Sequence, residues 1–167
     1  MDAAPLETHS LSLTLEDRGA TLRLAEALAH CAKSGLVVLL DGPVGAGKTT
    51  LARHAIQTLL SRAGRIEDVP SPTFTIVQTY DTPDFETWHA DLYRLSSTSE
   101  LVELGLDIAF ETAFCLVEWP DRLGAETPEH LRILLSYGVA EDAREATLNA
   151  TGAARETLDQ LKKVLVA

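Results

Sequence analysis

Gly42-Pro43-Val44-Gly45-Ala46-Gly47-Lys48-Thr49 gathers three glycines, an ammonium and a hydroxyl into one short stretch, and that combination suits a polyphosphate. Glycines let backbone approach a ligand closely and accept dihedrals that a Cβ disfavours. Their N–H groups can converge on phosphate oxygens, helped by the partial positive charge of a helix N-terminus. In the G-x4-GK-[ST] pattern the lysine, here Lys48, reaches the β- and γ-phosphates, and the hydroxyl of Thr49 serves Mg²⁺. With glycine at about 7% of residues in ordinary proteins, the pattern is rare by chance. The expected binding set is Gly42, Val44, Gly45, Ala46, Gly47, Lys48, Thr49 and Thr50, with ATP or ADP and Mg²⁺ as cofactors. A flexible glycine-rich turn is the competing account.

A P-loop enzyme also needs an acid for the metal shell or the attacking water. Glu118 ends the apolar run Phe114 to Val117, where a strand edge beside the loop would place a carboxylate. Asp91 ends a second strand-like segment and could do the same work, or cap a helix. Lys48, Asp91 and Glu118 are therefore the catalytic candidates, and Thr49 with Glu118 the metal candidates. His89 with Asp91 makes a poor metal site without further ligands, so His89 reads as a core or supporting histidine. Trp119 reads as packing at a surface edge. Ser71 and Thr73 flank Pro72 where switch segments fall in many P-loop proteins, or form a plain Ser-Pro turn.

The elements around these residues follow from periodicity. Leu36 to Leu40 is a continuous apolar run, the signature of a strand buried on both faces, and the loop follows at once. A helix is expected from Lys48 to about Arg62, with Leu51, Ala55, Ile56 and Leu59 at helical spacing. Upstream, Leu11, Leu13 and Leu15 alternate as in a strand, and Asp17 can cap a helix running to about Lys33. Downstream, strands are expected over Thr73 to Tyr80 and Phe85 to Asp91. Ser97-Thr98-Ser99-Glu100 suggests a capping box and a short helix over 98–104. Ala113 to Val117 is a second buried strand. Leu131, Ile133 and Leu135, then Ala146, Leu148 and Ala150, alternate around a turn at Gly138 to Asp142, and Leu158, Leu161 and Leu165 suggest a closing helix. The expectation is one α/β domain over residues 1–167: a P-loop NTPase-like three-layer sandwich whose mixed, mainly parallel central sheet also holds antiparallel strands.

Bulk composition narrows the partners. The 167 residues carry a net charge of −11, which argues against tight direct binding to DNA or RNA. Arg53, His54, Arg62 and Arg65 read as a solvated helix face rather than a nucleic-acid patch. No run approaches a membrane span, and residues Met1 to Ser10 lack the pattern of a secretory signal. Cys31 and Cys115 read as two buried thiols of a reducing compartment, so a cytoplasmic location is expected.

Taken together, Gly42-x-x-Gly45-Ala46-Gly47-Lys48-Thr49, Ser71-Pro72-Thr73-Phe74, His89-x-Asp91-Leu92-Tyr93-Arg94-Leu95, Glu103-Leu104-Gly105 and Val117-Glu118-Trp119-Pro120 resemble the TsaE (YjeE) family over about residues 20 to 125. The HxDxYR and VEWP segments are far more particular than the P-loop. The resemblance implies a slow Mg²⁺-dependent ATPase that works with TsaB and TsaD in forming threonylcarbamoyladenosine at position 37 of tRNAs reading ANN codons. Its ATP cycle would reset that complex, and tRNA would be met only through it. By the same resemblance, Thr49 and Glu118 would ligate Mg²⁺, Asp91 would support hydrolysis near the γ-phosphate, and Ser71 to Phe74 would form a switch. Trp119 would lie near the nucleotide, and Arg18 to Thr21 near the adenine, with Ala143 and Arg144 of the hairpin bordering the base.

Three alternatives compete. A small nucleotide or metabolite kinase would need an arginine-bearing lid, and no arginine-rich segment stands out. A GTPase would need a guanine reader of the Asn/Thr-Lys-x-Asp type. Asn149 is the one asparagine of the chain and no lysine follows it; Asp121-x-x-Gly124 is a weak echo of another GTPase motif. A non-catalytic nucleotide-dependent adaptor is the third.

Overall fold

The two unbroken apolar runs lie side by side at the centre of one sheet. In the computed structural model, which describes residues 9–166, β2 (Val37–Asp41) pairs in parallel with β5 (Phe114–Glu118). Every residue of β5 is buried. Alternate residues of these strands feed two separate cores, as the two-residue period of a strand requires. Val38, Leu40, Phe114 and Leu116 join the larger core, while Val37, Leu39, Cys115 and Val117 join the smaller.

The sheet has seven strands in the order β1-β7-β6-β2-β5-β4-β3. Besides β2 and β5 it contains β1 (Ser10–Leu15), β3 (Val77–Thr82), β4 (Phe85–Asp91), β6 (Leu131–Tyr137) and β7 (Arg144–Ala150). The four central strands β6, β2, β5 and β4 are mutually parallel. β3 pairs antiparallel with β4, β7 with β6, and β1 with β7, so both flanks of the parallel centre are antiparallel, as the mixed-sheet expectation had it. The larger core seats α1 (Arg18–Cys31), α2 (Lys48–Ser61) and α5 (Ala154–Val166) on one face. The smaller core seats α3 (Ser99–Glu103) and α4 (Leu106–Thr112) on the other. The result is a three-layer α/β sandwich.

Local signals explain most boundaries. Asp17 caps α1 by accepting a hydrogen bond from the Ala20 N–H at 2.8 Å, satisfying one of the helix's orphan donors. The strand expected over Thr73 to Tyr80 is corrected: β3 begins only at Val77. The Ile76 N–H donates back to the Pro72 carbonyl at 2.7 Å, with Ile76 at φ 68, so the proline-led turn extends four residues further than β-propensity suggests. The capping box is also displaced. Glu100 reaches the N–H and hydroxyl of Ser96, while the Ser97 hydroxyl accepts from the Ser99 N–H.

Two elements were not anticipated. α4 starts directly after Gly105, which at φ 80 ends α3 and opens α4 in a single residue. A 3-10 segment spans Pro120–Glu126 behind Trp119. Cys31 and Cys115 are both buried and unbridged. No helix among the described residues is long and apolar enough to cross a membrane. The N-terminal leader reading concerns residues that, up to 8, lie outside those described.

Candidate nucleotide site

β2 ends at Asp41 and α2 begins at Lys48, so the glycine-rich loop turns at the carboxyl edge of the parallel strands, where open α/β sheets receive ligands. Gly42 is required there by space. It has φ +137, and a Cβ on it would lie 2.3 Å from the Leu135 carbonyl oxygen. Asp41 holds the approach, accepting from the Gly42 N–H at 2.9 Å and pairing with Arg132 at 2.7 Å. Gly47, at φ 107, is the N-cap of α2 and offers no side-chain cap. The first N–H groups of this 14-residue helix are thus left for a ligand or solvent.

A cavity of about 340 Å³ opens over the loop. Val44, Gly45, Gly47, Lys48, Thr49 and Thr50 form its floor, and Thr73, Asp91, Tyr93, Glu118 and Trp119 its walls. The register explains the meeting of acids: Asp91 at the end of β4 sits opposite Glu118 at the end of β5, and Glu118 opposite Leu40 of β2. One carboxylate oxygen of Glu118 accepts from the Thr49 hydroxyl at 2.6 Å, and the other meets His89 Nε2 at 2.7 Å. His89 is fully buried, the supporting position expected of it. Among the described residues, no group of three or more His, Cys, Asp and Glu side chains could hold a metal alone. The Thr49–Glu118 pair nonetheless fits Mg²⁺, a hard cation that takes oxygen donors and is commonly held by one or two carboxylates together with phosphates and water.

Lys48 lies just under the surface, with Nζ donating to the carbonyls of Gly42 at 2.5 Å and Pro43 at 3.0 Å. Trp119 covers it, its ring centroid 4.2 Å from Nζ, a cation–π contact. Burial pushes the Lys48 ammonium below its ordinary value, and the carboxylates of Glu118, Asp41 and Asp91 pull it partly back. Trp119 reaches this position through a left-handed backbone, φ 57, a costly conformation for a bulky residue and one that clusters at functional sites. Its ring also packs on Tyr93, centroids 5.1 Å apart.

The switch-like loop is tied to the same strand ends. The Asp91 N–H donates to the Ile76 carbonyl at 2.8 Å. Thr73 lines the cavity, and its hydroxyl makes a long 3.5 Å contact to Asp91 Oδ2. Ser71 stands one step back, hydrogen-bonded to Thr73 at 2.7 Å. A second cavity, about 220 Å³, lies on the other side of the loop and is bordered by Arg18, Thr21, Asp142 and Arg144 together with Gly45, Ala46, Gly47 and Thr50. The two cavities share Gly45, Gly47 and Thr50. Gly42 borders neither, and Ala143 is buried beside Arg144 without bordering the second. Arg53, His54, Arg62 and Arg65 form no phosphate patch: they engage the Val69 carbonyl, Glu26, the Ala29 carbonyl and the Asp81 carbonyl respectively.

Three residues at the site carried no role in the sequence reading. Tyr93 follows the acid Asp91 closely, so an aromatic beside a strand-end carboxylate was its available signal. Tyr137 and Arg132 act on the loop from β6, and nothing local to either marks that contact.

Comparison with known proteins shows the family. A family model described as "Threonylcarbamoyl adenosine biosynthesis protein TsaE" matches residues 15–146. The chain is 36% identical over 139 residues to a Bacillus subtilis protein named tRNA threonylcarbamoyladenosine biosynthesis protein TsaE, covering 83% of this chain and 84% of the relative. A Haemophilus influenzae protein of the same name is 34% identical over 148 residues, covering 85% and 90%. A Rickettsia felis relative of that name is 40% identical over 109 residues, and there the chain spans 62% of the relative's length. The crystal structure of Bacillus subtilis YdiB superposes with a TM-score of 0.74 at 32% identity, covering 92% of this chain and 95% of that one. The chain belongs to the TsaE family of tRNA threonylcarbamoyladenosine biosynthesis proteins.

Proposed function

We propose that this chain binds ATP with Mg²⁺ over the Gly42–Thr49 loop and hydrolyses it slowly, in the service of threonylcarbamoylation of adenosine 37 in tRNAs that read ANN codons. Its partners in this reading are TsaB and TsaD, whose complex it resets between turnovers; tRNA is met only through that complex, and the setting is the cytoplasm. The observation that carries the reading is the 2.6 Å contact between the Thr49 hydroxyl and Glu118 at the floor of a cavity that also holds Lys48 and Asp91.

Each residue has a defined task. Lys48 and the N-terminus of α2 hold the β- and γ-phosphates. Thr49 and Glu118 hold Mg²⁺, which when bound neutralises phosphate charge. Asp91 faces the water that attacks the γ-phosphate, with Ser71 and Thr73 adjusting around it. Trp119 screens the phosphate end from solvent, and Arg18 and Thr21 border the base. Against the rival kinase reading, the arginines that border the two cavities among the described residues, Arg18 and Arg144, both lie in the second cavity, away from Asp91 and Glu118.

The deciding experiment measures phosphate release from ATP by the purified protein, alone and with a TsaB–TsaD pair. Slow release alone and stimulation by the pair are expected. Phosphoryl transfer to a small-molecule acceptor, or a rate indifferent to the pair, would overturn the proposal.

A further inference from the structure

The P-loop is braced from outside by two side chains of the β6–β7 hairpin. The Tyr137 hydroxyl donates to the Val44 carbonyl. Arg144 Nη2 donates to the Gly45 carbonyl at 3.2 Å, and its Nε to the Ala46 carbonyl at 3.1 Å. Three successive loop carbonyls are thus taken by two residues. Arg144 is itself anchored, donating through Nη1 to the carbonyls of Glu141 at 2.7 Å and Ala143 at 2.8 Å. Its guanidinium also lies 5.4 Å from the centroid of the Tyr137 ring.

We infer that Tyr137 and Arg144 are positioning residues that set the phosphate-binding conformation of the loop. A trans peptide points its C=O and the following N–H in opposite directions. Holding the Val44 carbonyl outward turns the Gly45 N–H toward the cavity, and holding the Ala46 carbonyl does the same for the Gly47 N–H. Gly45 and Gly47 both line the cavity floor. The peptide between them is fixed twice, because the Ala46 N–H also closes a turn onto the Pro43 carbonyl at 3.2 Å. Both glycines have positive φ, +80 and +107, in a region of φ/ψ space where glycine has several options. A loop this permissive has many conformations and only some converge its donors, so an external brace reduces what a ligand must order. Arg144 suits the task because its planar fork presents several donors in fixed directions, which a lysine does not reproduce.

This inference rests on the ATP reading above, and the test separates the two. Binding of Mg-ATP and of inorganic triphosphate, a probe without base or sugar, is titrated for wild type, Tyr137→Phe, Arg144→Lys and the double variant. Tyr137→Phe removes one hydroxyl and Arg144→Lys keeps the charge. Each single variant is expected to weaken both ligands by the same factor, about fivefold. The double variant should lose less than the product of the two, because both hold one loop. In nucleotide-free protein, the Ala46 amide, which closes the turn onto the Pro43 carbonyl, should exchange faster in Tyr137→Phe, with the melting temperature unchanged.

Loss of ATP affinity with triphosphate affinity intact would make Arg144 a base contact and overturn the brace. Wild-type affinities in both variants would overturn the brace while leaving the ATP reading standing. A wild-type protein that binds neither ligand would sink both.

Discussion

Glu118 has a different neighbour on each carboxylate oxygen, the Thr49 hydroxyl on one side and His89 on the other. The histidine is sealed inside the sheet, and its Nδ1 is buried without a hydrogen-bond partner, so the Nε2 contact to Glu118 is the imidazole's sole polar engagement among the described residues. This arrangement fixes the carboxylate's orientation and leaves the oxygen beside Thr49 to face the cavity. Glu118→Ala should therefore retain nucleotide binding, which rests on Lys48 and the loop. It should lose Mg²⁺-dependent hydrolysis on the order of 10²-fold, the scale of a single acid–base or electrostatic contribution. Steady-state phosphate release together with nucleotide titration checks this, and undiminished hydrolysis would move the role to Asp91. The acids were readable from sequence because each closes a strand-like segment. What could not be read was their mutual distance, set by the β4–β5 register that places Asp91 opposite Glu118.

Among the elements, the loop between β2 and α2 depends most on backbone. Gly42→Ala would drive a Cβ to 2.3 Å from the Leu135 carbonyl, whereas a Cβ on Gly64, also at positive φ, meets nothing within 4 Å. Gly42→Ala should cost about 2 kcal/mol or more and Gly64→Ala about 1 kcal/mol. Urea unfolding of both variants tests the ranking, and equal losses would deny the close approach to β6. Sequence pattern located β2 and β5 as unbroken apolar runs, and β1, the hairpin strands and the helices α1, α2 and α5 because each alternates or repeats over enough residues to show its period. It failed where an element is short or where a turn overrides propensity. α4 has seven residues behind a glycine that reads as a stop. β3 starts late because Ile76 is held in a left-handed turn. The brace on the loop was invisible for another reason: Tyr137 and Arg144 bond to carbonyls 93 to 99 residues away, and a carbonyl carries no side-chain signature.

For the molecule as a whole, charge and burial set the behaviour. A net charge of −11 repels a polyanion, so binding to free tRNA should be weak and should strengthen little as salt is lowered. A filter-binding titration that gave submicromolar affinity, tightening as salt is lowered, would contradict this. The buried thiols make stability fall in alkali. Burial, with Glu86 adding to it, pushes the Cys115 thiol from its ordinary 9.0 up to about 12, and burial also raises Cys31. Below pH 9 the thiols are protonated in both folded and unfolded chains and contribute no slope. Between pH 9 and 12 the unfolded chain releases the Cys115 proton while the folded one keeps it. Stability then declines by up to about 1.4 kcal/mol per pH unit from this group. Denaturant unfolding at pH 8, 9 and 10 should show a shallower decline in Cys115→Ala than in wild type, and identical slopes would refute the burial argument.

The central claim is that the Gly42–Thr49 loop binds ATP through its phosphates, and it is tested most directly by equilibrium titration of Mg-ATP against wild type and Lys48→Ala. Removing the ammonium deletes a charge-assisted contact to the β- and γ-phosphates, so the account predicts saturable wild-type binding and a loss of about tenfold or more in Lys48→Ala. The same affinity in both proteins would contradict it.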